Sequence, residues 1–141
     1  MFWGSNNCNN RTLCQTFARI LHSEILTSTS GLCAVTRTRN IRAEIAGRQT
    51  QSPLALNALF SFEDLDSRGN ALNLGETVIL QEEINPFITE LRCQGIKVTA
   101  LHNHWLFDEP RLMYIHFFSI EPPLIFARKV ALAFKVLQSE S

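Results

Sequence analysis

The chain has 141 residues, 45% of them hydrophobic and 18% charged, and its 13 Lys and Arg balance its 13 Asp and Glu. That length suits one domain that buries roughly 70% of the surface of its unfolded chain, enough for a core without staples. The even charge speaks against nonspecific binding to nucleic acid, which needs a basic surface for the phosphates, and it removes a repulsion that would oppose self-association.

Residues 1–10 are polar and Asn-rich and read as a flexible tail, leaving 11–141 as the domain. In "RTLCQTFARILHSEIL", Leu13, Phe17, Ile20 and Leu21 recur at helical spacing, and Ile25 continues the stripe. Asn10 suits the N-cap, and Ser30-Gly31 lies beyond the end. "LCAVTR" is a strand candidate. In "IRAEIAG", Ile41, Ala43 and Ile45 alternate with Arg42 and Glu44, the period of a strand. "QTQSPLAL" contains Pro53 and reads as a loop. "NALFSFEDL" sets Ala58, Phe60 and Phe62 on one face, and "DSRGNALNLGE" reads as a turn region punctuated by Gly69 and Gly75.

"ETVILQ" is a short strand. "EEINPFITELRCQG" is a helix, with Glu82 and Glu83 at its positive end, Pro86 in its first turn, an apolar stripe of Ile84, Phe87, Ile88 and Leu91, and Gly95 just past its end. "IKVTALHNHWL" and "RLMYIHFFS" are strands, and "PPLIFARKVALAFKVL" closes the chain as a helix whose inner face is Leu124, Ala127, Val130, Ala131 and Phe134. The strand at Thr77–Leu80, the helix and the strand at Lys97–Leu101 form a βαβ crossover with parallel strands. The fold class is therefore α+β: a single mixed β-sheet with a βαβ unit and a β-hairpin, helices mainly on one face.

The cysteines Cys8, Cys14, Cys33 and Cys93 contain no Cys-x-x-Cys pair, which speaks against a zinc knuckle. Cys33 and Cys93 read as buried thiols and Cys8 and Cys14 as free thiols near the exposed start. "MFWGSNNCNNRT" lacks the basic and apolar regions of a signal peptide, and no run approaches the ~18 apolar residues of a membrane span. The reading is a soluble, cytoplasmic domain with no membrane partner.

Three of the four histidines fall in "TALHNHWLFDEPRLMYIHF". Strand alternation puts His102 and His104 on one face, and it puts His116 with Leu112, Tyr114 and Phe118. A hairpin whose facing residue numbers sum to about 218 sets His102 opposite His116 and His104 opposite Tyr114, all on one side; a slip of one residue sends His116 to the other face. Three imidazoles with an open fourth position suit Zn or another divalent metal. His102, His104 and His116 are thus candidate ligands, Glu109 and His116 the candidate catalytic groups for metal-assisted hydrolysis or lyase chemistry, and Arg111 a candidate binder of a ligand anion.

Two other readings stay open: a metal-free small-ligand or proton-transfer pocket, and a non-catalytic interaction module that dimerises through its sheet face. The first needs converging imidazoles in a concavity, the second a flat apolar patch. His-x-His-x4-Glu also matches part of the first cupin motif, but the helices exclude that jelly roll.

The segment "GETVILQEEINPFITELRCQGIKVTALHNHWLFDEPRLMYIHF" resembles the LppY/LpqO family, a bacterial domain of unknown function named after mycobacterial lipoproteins. "VTALHNH", Val98–His104, and "EPRLMYIH", Glu109–His116, carry the likeness most strongly, with "EEINP", Glu82–Pro86, beside them. The resemblance spans about residues 17–137. It implies one or two copies of this domain per protein, often exported, and it carries no established reaction. It joins His102, His104, Glu109 and His116 into one unit.

Overall fold

The computed structural model describes residues 3–137, and for residues 3–10 the backbone alone. The elements in order are α1 (Trp3–Ile20), β1 (Glu24–Ser28), β2 (Leu32–Thr38), β3 (Ala43–Ile45), β4 (Arg48–Thr50), α2 (Pro53–Leu56), β5 (Asn57–Glu63), β6 (Ala71–Leu80), α3 (Ile84–Cys93), β7 (Lys97–Asn103), β8 (Asp108–Glu109), β9 (Leu112–Glu121) and α4 (Pro123–Phe134), with a single 3-10 turn at Gln81–Glu83 before α3. The α+β class holds.

The sheet differs from the expected single mixed one. Six strands lie in the order β1-β2-β5-β6-β9-β7, and a second sheet has the order β4-β3-β8. Each pairing among the described strands is antiparallel. In the expected βαβ unit, β6 and β7 do run parallel to each other, but β9 lies between them and bonds to both. A returning strand can occupy that gap because α3 spans it, and antiparallel ladders then form on both of its sides.

One face of the large sheet carries α1, α3 and α4. Ala58, Phe60 and Phe62 of β5 point into it, as their alternation foretold, and join Phe17, Phe87, Leu91, Phe117, Phe126 and Val130 in the main core. The rings meet edge to face: Phe17 on Phe62 at 5.0 Å and Phe87 on Phe117 at 5.8 Å. Each such pair contributes ~0.5–1.5 kcal/mol beyond its buried area. In α4 the buried face is Phe126, Ala127, Val130, Ala133 and Phe134, one step round from the expected stripe.

Several local expectations change. Helix α1 covers residues 3–10, read above as tail, so Asn10 is no cap. It also stops at Ile20: His22 has φ 51°, and Glu24–Ser28, the tail of the apolar stripe, leaves to pair with β2. Part of the Pro53 loop is helix α2, capped by Ser52, whose hydroxyl accepts from the Leu54 N–H. Gly75 is not turn punctuation. It sits within β6, where a Cβ would lie 2.3 Å from Cε2 of Phe117, so its lack of a side chain makes room for that ring. Gly95 does follow α3 with φ 78°, as expected of a helix terminator.

Cys14 and Cys33 form a disulfide between α1 and β2, both fully buried, where a free thiol and a buried thiol were expected. Cys93 is an exposed free thiol and not a buried one. Cys8 lies outside the described side chains. No helix among the described residues is long and apolar enough to cross a membrane.

Glu83, placed by the sequence at the positive end of α3, is also half of a buried ion pair. It accepts two bonds from the Arg39 guanidinium, each 2.9 Å, and one from the Leu80 N–H. Arg39 also donates to the Val78 carbonyl at 3.0 Å. The pair ties the end of β2 to the start of α3 beneath a smaller core of Ile41, Ala55, Leu56, Val78, Leu112 and Tyr114.

Candidate functional site

The second face of the large sheet is only partly covered. At the Leu112 end of β9 the small sheet and α2 lie over Val78, Leu112 and Tyr114. Beyond them the face is open, and the histidines stand at that border.

Strand β7 pairs with β9 so that His102 faces Tyr114 and Ala100 faces His116. The facing numbers at the histidines sum to 216, not 218, and a bulge between Val98 and Ala100 leaves residue 99 unpaired and changes the sum to 215 beyond it. A shift of two keeps parity, so His102 and His116 share a face as diagonal neighbours. Their Nε2 atoms lie 2.8 Å apart. The ring centroids are 4.8 Å apart with planes 24° from parallel. With the nitrogens so much closer than the centroids, the rings meet edge to edge instead of stacking.

The outer nitrogens both look at oxygen. His116 Nδ1 is 3.7 Å from Glu76 Oε1, an ion-pair contact rather than a hydrogen bond. Glu76 is the residue of β6 directly opposite His116. His102 Nδ1 is 3.4 Å from the Asn103 carbonyl. At 2.8 Å one Nε2 donates to the other, the tautomers setting which, whereas N–H at both Nδ1 atoms would turn two lone pairs toward one cation.

His104 lies just past the end of β7. Its ring stacks on Tyr114, centroids 4.0 Å apart and planes at 11°, and lies 4.8 Å from that of His102. Burial against the phenol and the nearby His102 lower its pKa below the usual imidazole value, so it favours the neutral form. Tyr114 is the anchor below. Its hydroxyl donates to the Ala55 carbonyl at 2.7 Å and accepts from Trp105 Nε1 at 2.7 Å. Burial raises its pKa, and Asp108 adds to the effect against the opposing Trp105 bond.

The other expected site residues lie elsewhere. Glu109 is in β8, opposite Glu44 of β3, so the turn carries its carboxylate to the small sheet. Arg111 braces its own loop, donating to the Trp105 carbonyl at 3.2 Å and pairing with Asp108 at 3.4 Å. Glu76 supplies the carboxylate beside the histidines. The β6–β9 ladder is what brings it there, a pairing absent from the expected topology.

The arrangement is a two-histidine bite with a carboxylate behind it. Among the described residues no group of three or more His, Cys, Asp or Glu side chains is placed to hold a metal ion. Neither of two cavities is lined by the histidines: one of about 80 Å³ is lined by Leu21, Arg37, Phe60 and Phe134, and one of about 350 Å³ by Lys97, Phe118, Ser119 and Glu121.

The family described as Domain of Unknown Function (DUF1259) matches residues 15–136. No curated protein and no solved structure matches the chain.

Proposed function

We propose, for a chain that belongs to this family of unknown function, that it is a binding domain for a divalent transition-metal cation, held by Nε2 of His102 and Nε2 of His116. The observation that carries the reading is the 2.8 Å approach of two nitrogens whose outer partners are both oxygens. Metal-bound imidazoles usually show a carboxylate or a backbone carbonyl on the second nitrogen, and here one histidine has each. Metal–nitrogen bonds of about 2.0–2.1 Å set two ligating nitrogens ~2.9 Å apart at a right angle and ~3.3 Å apart at a tetrahedral angle. The pair therefore needs a tilt of the rings and at most ~0.5 Å of opening to exchange its hydrogen bond for a cation.

Binding is favoured over catalysis because neither cavity is lined by His102 or His116. Hydrolase or lyase chemistry with Glu109 as base loses its support, since that carboxylate belongs to the small sheet. We also place the chain in the LppY/LpqO group of this family, on Val98–His104 and Glu109–His116. The buried Cys14–Cys33 disulfide supports maturation in an oxidising compartment in place of the cytoplasm.

Calorimetric titration with Zn²⁺, Ni²⁺ and Cu²⁺ tests the reading. Saturable binding is expected in the wild type and in His104→Ala, and its loss in His102→Ala and in His116→Ala. A wild type that binds none of the three, or alanine variants that bind as the wild type does, would refute it.

A further inference from the structure

We infer that a second copy of this chain completes the cation site, so that the bound cation bridges a two-fold dimer through four imidazoles. The inference rests on the cation reading just given.

Two protein nitrogens do not satisfy a cation of this class. A closed tetrahedral site takes four ligands, and no third side chain among the described residues is placed to join the two. His104 is held on Tyr114, and Glu76 faces the outer nitrogen of His116 instead of the bite. The missing ligands must come from outside the chain. The bite is not enclosed by either cavity but stands on an open sheet face that a macromolecule can reach.

That face continues as an apolar surface. Next to the Glu76–His116 pair, Leu74 lies opposite Phe118 and Leu72 opposite Ile120. Leu74 is 41% exposed and Ile120 69%. The depression beside Phe118 and Ile120 gives an opposing side chain room to enter. A copy related by a two-fold axis through the cation brings the same two imidazoles and the same apolar rows, which is what an isologous interface requires. The formal net charge of zero sets no repulsion against it. An unrelated protein would have to bring both the imidazoles and the apolar rows; a second copy has them already.

The test is sedimentation velocity on the full chain, in chelator and then with added Zn²⁺, beside a calorimetric measure of stoichiometry. The expected result is a monomer in chelator and a dimer with Zn²⁺, the titration breaking at half a cation per chain. His102→Ala and His116→Ala are expected to stay monomeric with Zn²⁺. Ile120→Arg, on a highly exposed side chain, is expected to stay monomeric while taking one cation per chain at least ten-fold more weakly. A wild type that saturates with one Zn²⁺ per chain and remains monomeric would overturn the dimer and leave the site standing. A dimer that persists in chelator and in both histidine variants would overturn the bridging role. Absence of Zn²⁺ binding altogether would remove both the inference and the reading beneath it.

Discussion

Replacing Glu83 with Gln keeps the shape of the side chain and removes its charge. Arg39 is 1% exposed and Glu83 2%, so the guanidinium left behind has no water to turn to. Breaking one side of such a buried pair costs about 3–5 kcal/mol, far more than an exposed pair is worth. Domains of this kind have total stabilities of about 5–15 kcal/mol, so the change removes a large share. For a chain of this length ~3 °C is lost per kcal/mol, and the melting temperature should fall by roughly 10–15 °C. Urea denaturation followed by circular dichroism measures the free energy directly. The double variant Arg39→Met/Glu83→Leu is expected to lose less than the two single variants together, because an apolar pair needs no counter-charge. A Glu83→Gln loss below about 1 kcal/mol, or strict additivity in the double variant, would show that the pair is not buried as described.

Three further outcomes follow from the core. Gly75→Ala forces the Phe117 ring away from a Cβ at 2.3 Å and should cost about 1–3 kcal/mol by overpacking, again read by urea denaturation; a neutral effect would contradict that contact. Cys14→Ala/Cys33→Ala opens a cross-link that spans a sequence separation of 19 and should cost about 3 kcal/mol; thiol titration of the unfolded wild type should find two of its four cysteines unreactive until reductant is added. Tyr114 is the only tyrosine, so tyrosinate absorbance reports it alone. Its pKa is raised: the unfolded chain loses the proton first, so the stability held below the ordinary tyrosine pKa of about 10 is lost as pH rises through the folded value. A midpoint in the folded protein at or below that of the unfolded chain would contradict the buried hydroxyl.

How far this fold could be read from its residues varies with the origin of each signal. Phe60 and Phe62 alternate with polar neighbours and declare their face locally, and Gly95 declares a helix end by its own backbone freedom. Parity along β7 and β9 groups the residues of each strand by face, and the register between the strands decides that His102 and His116 share a side. What escapes local reading depends on strands distant in sequence. Gly75 carries the mark of a turn, and only the ring of Phe117 on β9 explains why it stands mid-strand. Glu76 opens the expected strand "ETVILQ", yet only the pairing of β6 with β9 brings it to His116. The strands pair two residues away from the expected register, which turns a direct histidine pair into a diagonal one. The Ile25 stripe continues helical spacing past Ile20, yet pairing with β2 outweighs it. Glu109 shows the reverse error: sequence proximity to the histidines suggested a partner that the turn carries to the small sheet.

The central claim is that His102 and His116 share one cation through their Nε2 atoms, with Glu76 behind His116. The most direct measurement is ¹⁵N NMR of the imidazole rings in the metal-free protein and with Zn²⁺. The Nε2 resonances of His102 and His116 are expected to move together to metal-bound positions, while both Nδ1 atoms carry protons in the Zn²⁺ form and His104 and His22 stay as they were. Coordination through Nδ1, or Zn²⁺-dependent shifts confined to His104 or His22, would contradict it.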